Sequence, residues 1–154
     1  MNTAESTGLG ANRDDFKTAF RGKFIGILQW SQLDDLWANI LSNDADGWYV
    51  YAIGEPVPQQ AVSAADLGNF LAEINRLLHK EHQEDYCGIV YTDSKTRPRF
   101  IKIFDPNNLG VVCGFSNNPP LPGWILSKIK PQPLEDLGPL PAIRKRWWGK
   151  LWKT

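Results

Sequence analysis

Apolar positions recur every three or four residues in some stretches of the chain and cluster or alternate in others. The strongest helical stretch follows Ser63, where Leu67, Phe70, Leu71, Ile74, Leu77 and Leu78 make one continuous face to about Lys80. SAAD at 63–66 supplies a capping signature for it. A second helix is expected from Ser31, where SQLD is a weaker cap and Leu33, Leu36, Trp37, Ile40 and Leu41 share the stripe. A short helix from Asp14 aligns Phe16, Ala19 and Phe20.

Strands are expected where aromatic and β-branched residues run together. These are Phe24 to Gln29, Trp48 to Ile53, Cys87 to Thr92, Arg99 to Phe104 and Val111 to Phe115. GEPVPQQ after the second strand reads as a loop, since its prolines remove backbone donors. DSKTRP and DPNNLG are turn chemistry, and short connections between late strands favour an antiparallel meander. Seven of the eleven prolines fall between Pro119 and Pro141, so residues 117–141 read as an arm, packed on the domain or extended. Within it, Gly123 to Lys130 suits either a helical turn or an edge strand, with Leu121, Trp124, Ile125 and Ile129 as anchors.

The expected fold class is α+β: a mainly antiparallel sheet of about five strands with two to three helices on one face, then the proline-rich C-terminal arm. Residues 1–12 are expected to be disordered, 13–116 to form the α+β domain, and 142–154 to form a separate tail.

Charge singles out that tail, AIRKRWWGKLWKT. Residues 1–141 hold all 17 acids and 12 of the 17 bases, a net −5, while the tail holds five bases and no acid. It also holds three of the seven tryptophans. On a helical projection Ile143, Trp147 and Leu151 share a stripe with Trp148 and Trp152 beside it. Lys145, Arg146, Lys150 and Lys153 lie opposite, and only Arg144 breaks the pattern. The segment reads as an amphipathic helix, too short to be stable alone and expected to fold on a surface. That surface is a protein groove, an anionic membrane, or the acidic body of its own or a second copy, which would make a homodimer. Nucleic acid is disfavoured, because a body of net −5 opposes it.

Catalytic chemistry finds no residue set. His79 and His82 are spaced for one metal ion, but a four-ligand site is not visible and they remain weak candidates. Cys87 and Cys113 read as buried strand residues rather than as a nucleophile or a disulfide framework. No phosphate loop occurs, and no motif calls for a cofactor. PPLP at 119–122 matches the PxxP pattern, which is common by chance. Alternation along PRFIKIF sends Ile101 and Ile103 one way and Phe100, Lys102 and Phe104 the other. The second set forms either an aromatic partner surface or a layer buried under the arm.

The expected function is that of a non-enzymatic adaptor or assembly factor docking on a larger protein complex. Its partner-binding residues would be Arg144, Arg146, Trp147, Trp148, Lys150 and Trp152, with Phe100, Lys102 and Phe104 as a second surface. The alternative is a peripheral protein using the same tail on anionic lipid at the inner membrane. A distant third is a metal- or ligand-binding protein using the two histidines. The first residues have neither a basic start nor an apolar core, so the cytoplasm is the expected compartment.

Overall fold

The computed structural model describes residues 15–109, 120–134, 137 and 144–152. The expected disordered segment 1–12, the expected strand Val111 to Phe115 with Cys113, and Lys153 lie outside the described residues.

The helix with the strongest apolar period is α3, Ala64–Glu81. The Ser63 hydroxyl accepts from the Asp66 N–H at 3.1 Å, and all six stripe residues from Leu67 to Leu78 are buried. Helix α2, Trp30–Asn43, buries Leu33, Leu36, Trp37 and Ile40. Its cap differs from expectation. Gln29 is the N-cap and its N–H donates to the Gln32 side chain at 3.0 Å, so Ser31 already lies within the helix. Residues 15–20 form a short helical segment, α1, and the tail contributes α4, Lys145–Leu151.

Five strands make one antiparallel sheet: β1 (Ile25–Ile27), β2 (Tyr49–Ala52), β3 (Val90–Thr92), β4 (Phe100–Ile103) and β5 (Trp124–Ser127). Their spatial order is β1-β3-β4-β5-β2. The fold class is therefore α+β, as its sequence pattern predicts.

Strand β5 corrects the reading of Gly123 to Lys130 as a helical turn or edge strand. It sits inside the sheet, pairing Ile101 with Leu126 on one side and Val50 with Leu126 on the other. All four of its residues are buried, which suits an unbroken apolar run covered on both faces. Gly123 leads into it past Asp105, where an added Cβ would come within 3.1 Å of the Asp105 Cβ.

The pleat builds two cores. On one face Val50, Val90, Ile101, Ile103, Trp124 and Leu126 meet α2, α3 and Leu151 of α4. On the other, Tyr51, Ile53, Phe100 and Ile125 meet Phe16, Leu121 and Leu134, with Phe20 and Phe24 at the margin. The expectation of helices on one face alone is thus incomplete. The opposite face is closed by α1 and by proline-flanked chain around Leu121 and Leu134.

Candidate binding cleft

Strand β4 carries the partner-surface triplet, and the structure separates its members. Phe100 is 1% exposed, with its ring 5.1 Å from Phe16 and 5.7 Å from Phe24. It is core rather than surface, because three phenylalanines from the N-terminal stretch pack over it. Lys102, two residues on, points the same way but lies at the margin of that aromatic layer. Its Nζ sits 4.1 Å from the ring centroids of both Phe20 and Phe24.

Lys102 and Phe104 open into a cleft of about 360 Å³. Its walls are Phe24, Gly88, Ile89, Tyr91, Lys102, Phe104, Leu109 and Pro120. Among the described residues no carboxylate lines it and Lys102 has no acidic partner. Burial without a counter-ion lowers the Lys102 ammonium to about 8. The two rings offset part of that cost through cation–π attraction. Tyr91 and Phe104 meet edge to face at 5.7 Å and hold the aromatic wall in place. Gly88, at φ +69°, lets the chain turn into β3, and a side chain there would meet the Tyr86 ring.

Two other depressions are less suited to a charged apolar ligand. One of about 770 Å³ is lined by Asp15 as well as by Arg99 and Lys130, and its Lys128 is already paired with Asp44 at 2.7 Å. Another of about 480 Å³ is lined by both Lys95 and Asp35.

The tail tryptophans turn inward. The rings of Trp147, Trp148 and Trp152 lie 6.4–6.5 Å from that of Phe70, and Trp147 is 5.5 Å from Trp124. Each is half-buried against the helical core, so the expected exposed anchors are in contact with this chain's own α3 and β5. The physical reason is the large apolar area that three indoles would otherwise leave in water.

Arg144, which broke the amphipathic pattern, explains how the segment is fastened. Its Nε and Nη2 donate to the two Asp105 oxygens at 2.7 and 2.8 Å, and Nη2 and Nη1 donate to Glu81 at 2.6 and 3.0 Å. The Asp105 hydrogen bonds raise its pKa further above the ordinary guanidinium range, burial opposes this, and Glu81 adds to the rise. Arg146, Lys145 and Lys150 stay exposed on α4.

The histidines are engaged elsewhere. The His79 ring stacks on Trp30 at 4.1 Å, and His82 Nε2 lies 2.8 Å from the Cys87 carbonyl oxygen. Among the described residues no group of three or more His, Cys, Asp or Glu is arranged to hold a metal ion. Cys87 is a buried thiol whose pKa is pushed up by burial, against lowering by the Ile89 and Val90 backbone. Among the described residues no helix is long and apolar enough to cross a membrane.

Sequence reasoning reached Lys102 and Phe104 but missed Phe24, Ile89, Tyr91, Leu109 and Pro120. These come from separate stretches, and only the antiparallel register of β3 and β4, which sets Tyr91 opposite Lys102, joins two of them. No protein-family model, curated protein or solved structure matches the chain.

Proposed function

We propose that this protein is a non-enzymatic adaptor that docks on another protein through the Lys102 cleft. One observation carries the reading: a half-buried ammonium with no acidic partner among the described residues stands in an apolar, aromatic-walled depression. Such a cation is underused in the isolated chain and gains most from an anion brought by an apolar partner. The occupant is therefore an acidic group of a partner protein, flanked by apolar side chains. The exposed bases of α4 favour the same sign of partner and would speed its encounter rather than hold it.

The membrane alternative loses its main support in this arrangement. Anionic lipid binding by the tail needs indoles to insert, and all three are packed on the body.

Quantitative capture from a lysate of the organism that makes the protein tests the proposal. Wild type is compared with Lys102→Met and with a triple variant carrying Lys145→Ser, Arg146→Ser and Lys150→Ser. Loss of a shared partner in Lys102→Met, with retention in the triple variant, supports the cleft. The reverse pattern moves the contact to α4 and overturns it.

A further inference from the structure

We infer that the Lys102 cleft receives the C-terminal residue of a partner chain, with its α-carboxylate at the Lys102 ammonium and its apolar side chain against the aromatic wall. This rests on the docking reading above and names the chemistry of the occupant.

Charge narrows the ligand first. Among the described residues Lys102 is the only cation lining the cleft, and no arginine fork stands beside it. A single ammonium matches a single negative charge, whereas phosphate groups are better held by several donors or an arginine cluster. The walls narrow it further. Apart from Lys102 and the Tyr91 hydroxyl, the side chains of the described lining residues are hydrocarbon or glycine, and about 360 Å³ lies at the small end of ligand sites. The occupant is therefore compact and mostly apolar, with one carboxylate.

An internal aspartate or glutamate fits those limits poorly. It carries its carboxylate on a side chain with no apolar body, and it brings a peptide group on each side. Those groups need donors and acceptors where they are buried. Two backbone donors of the lining are already spent: the Gly88 N–H on the Ile27 carbonyl at 2.8 Å and the Phe104 N–H on the Ile89 carbonyl at 2.9 Å. A C-terminal Phe, Leu or Met joins the carboxylate and the apolar side chain at one carbon and has one flanking peptide. Capture of a chain terminus by its carboxylate is an established recognition mode where backbone N–H groups receive it, and here the Lys102 ammonium would be the donor instead.

The titration of Lys102 gives the inference a signature. Among the described residues Tyr91 is the other titratable group on the cleft, while Phe20, Phe24 and Ile125, from the elements around Lys102, carry no charge. A carboxylate arriving at the ammonium favours its charged form, so binding takes up a proton near pH 8 and weakens as pH rises above that.

The test titrates the full chain with three blocked peptides by isothermal calorimetry. One ends in phenylalanine with a free carboxylate, the second is its C-terminal amide, and the third carries an internal aspartate and a C-terminal amide. The acid is expected to bind about tenfold to a hundredfold more tightly than its amide, the range for losing one charge-assisted hydrogen bond. That advantage should vanish in Lys102→Met, and the acid's affinity should fall between pH 7 and pH 9. Equal binding of acid and amide overturns the inference. So does tighter binding of the internal aspartate, but that result leaves the docking reading standing. If no peptide binds and Lys102→Met keeps every captured partner, both fall.

Discussion

Replacing Arg144 by methionine removes the cation that fastens the C-terminal segment to the body, and its cost follows from burial. Asp105 is 3% exposed and takes two hydrogen bonds from the guanidinium, at 2.7 and 2.8 Å. Breaking a buried pair from one side costs about 3–5 kcal/mol, because a charge is left where water reaches it poorly. Glu81 is 29% exposed, so its part adds at most about 1 kcal/mol. The Asn107 N–H still donates to Asp105 at 2.9 Å and shields the stranded carboxylate in part. A loss of about 3–4 kcal/mol is therefore expected. Adding Asp105→Asn removes the stranded charge and should return about 1–2 kcal/mol. Urea unfolding at pH 7, followed by circular dichroism, measures both variants. A loss below about 1 kcal/mol for Arg144→Met, or no relief from Asp105→Asn, would refute the buried clasp.

Four further outcomes follow. The Lys102 pKa lies below its ordinary value, so the folded chain loses that proton before the unfolded one; stability should rise between pH 8 and about 10.5, on the order of 1 kcal/mol after solvent screening. Urea unfolding across that range measures the rise, and Lys102→Met should abolish it; an unchanged pH profile counts against an unpaired ammonium. Phe70→Ala removes a 0%-exposed ring shared by all three tail tryptophans, so it should cost about 3–5 kcal/mol and shift tryptophan emission to the red. Ser63→Ala deletes the α3 cap and should cost about 1 kcal/mol in urea unfolding, with peptide binding unchanged. Gly88→Ala forces a side chain into the left-handed region and against Tyr86, which should lower stability by about 1–2 kcal/mol and weaken any cleft ligand.

What was legible in the sequence was local. Helix α3 could be read because its period and its cap agree, and both depend on residues within four positions of each other. The α2 start was misplaced because the capping partners are two glutamines, a weaker signal than SQLD at 31–34. Strand β5 was hidden by composition. Pro119, Pro120 and Pro122 precede it and Pro131 and Pro133 follow, yet the window 123–130 holds none, and its backbone is free to pair on both sides. Periodicity leaves the tail's own body as one surface among several, because Phe70 and Trp124, which receive its tryptophans, lie far back in the chain. Its charge pattern gave the right clue in Arg144, the residue out of phase with the cationic arc, but not its partners Glu81 and Asp105. Alternation along β4 set Phe100 and Lys102 on one face. It could not say that one lies under Phe16 and the other at the margin, since the covering residues come from another part of the chain.

Zero-length carbodiimide coupling in lysate tests the docking claim most directly, since it joins an amine to a carboxylate only where the two touch. Lys128 and Asp44, 2.7 Å apart, provide an internal link that reports on the reaction. An isopeptide bond is expected between Lys102 and a carboxylate of a partner protein, suppressed by the free-carboxylate peptide and unaffected by its amide. Partner links confined to Lys145 and Lys150, with Lys102 unmodified, would contradict the docking claim.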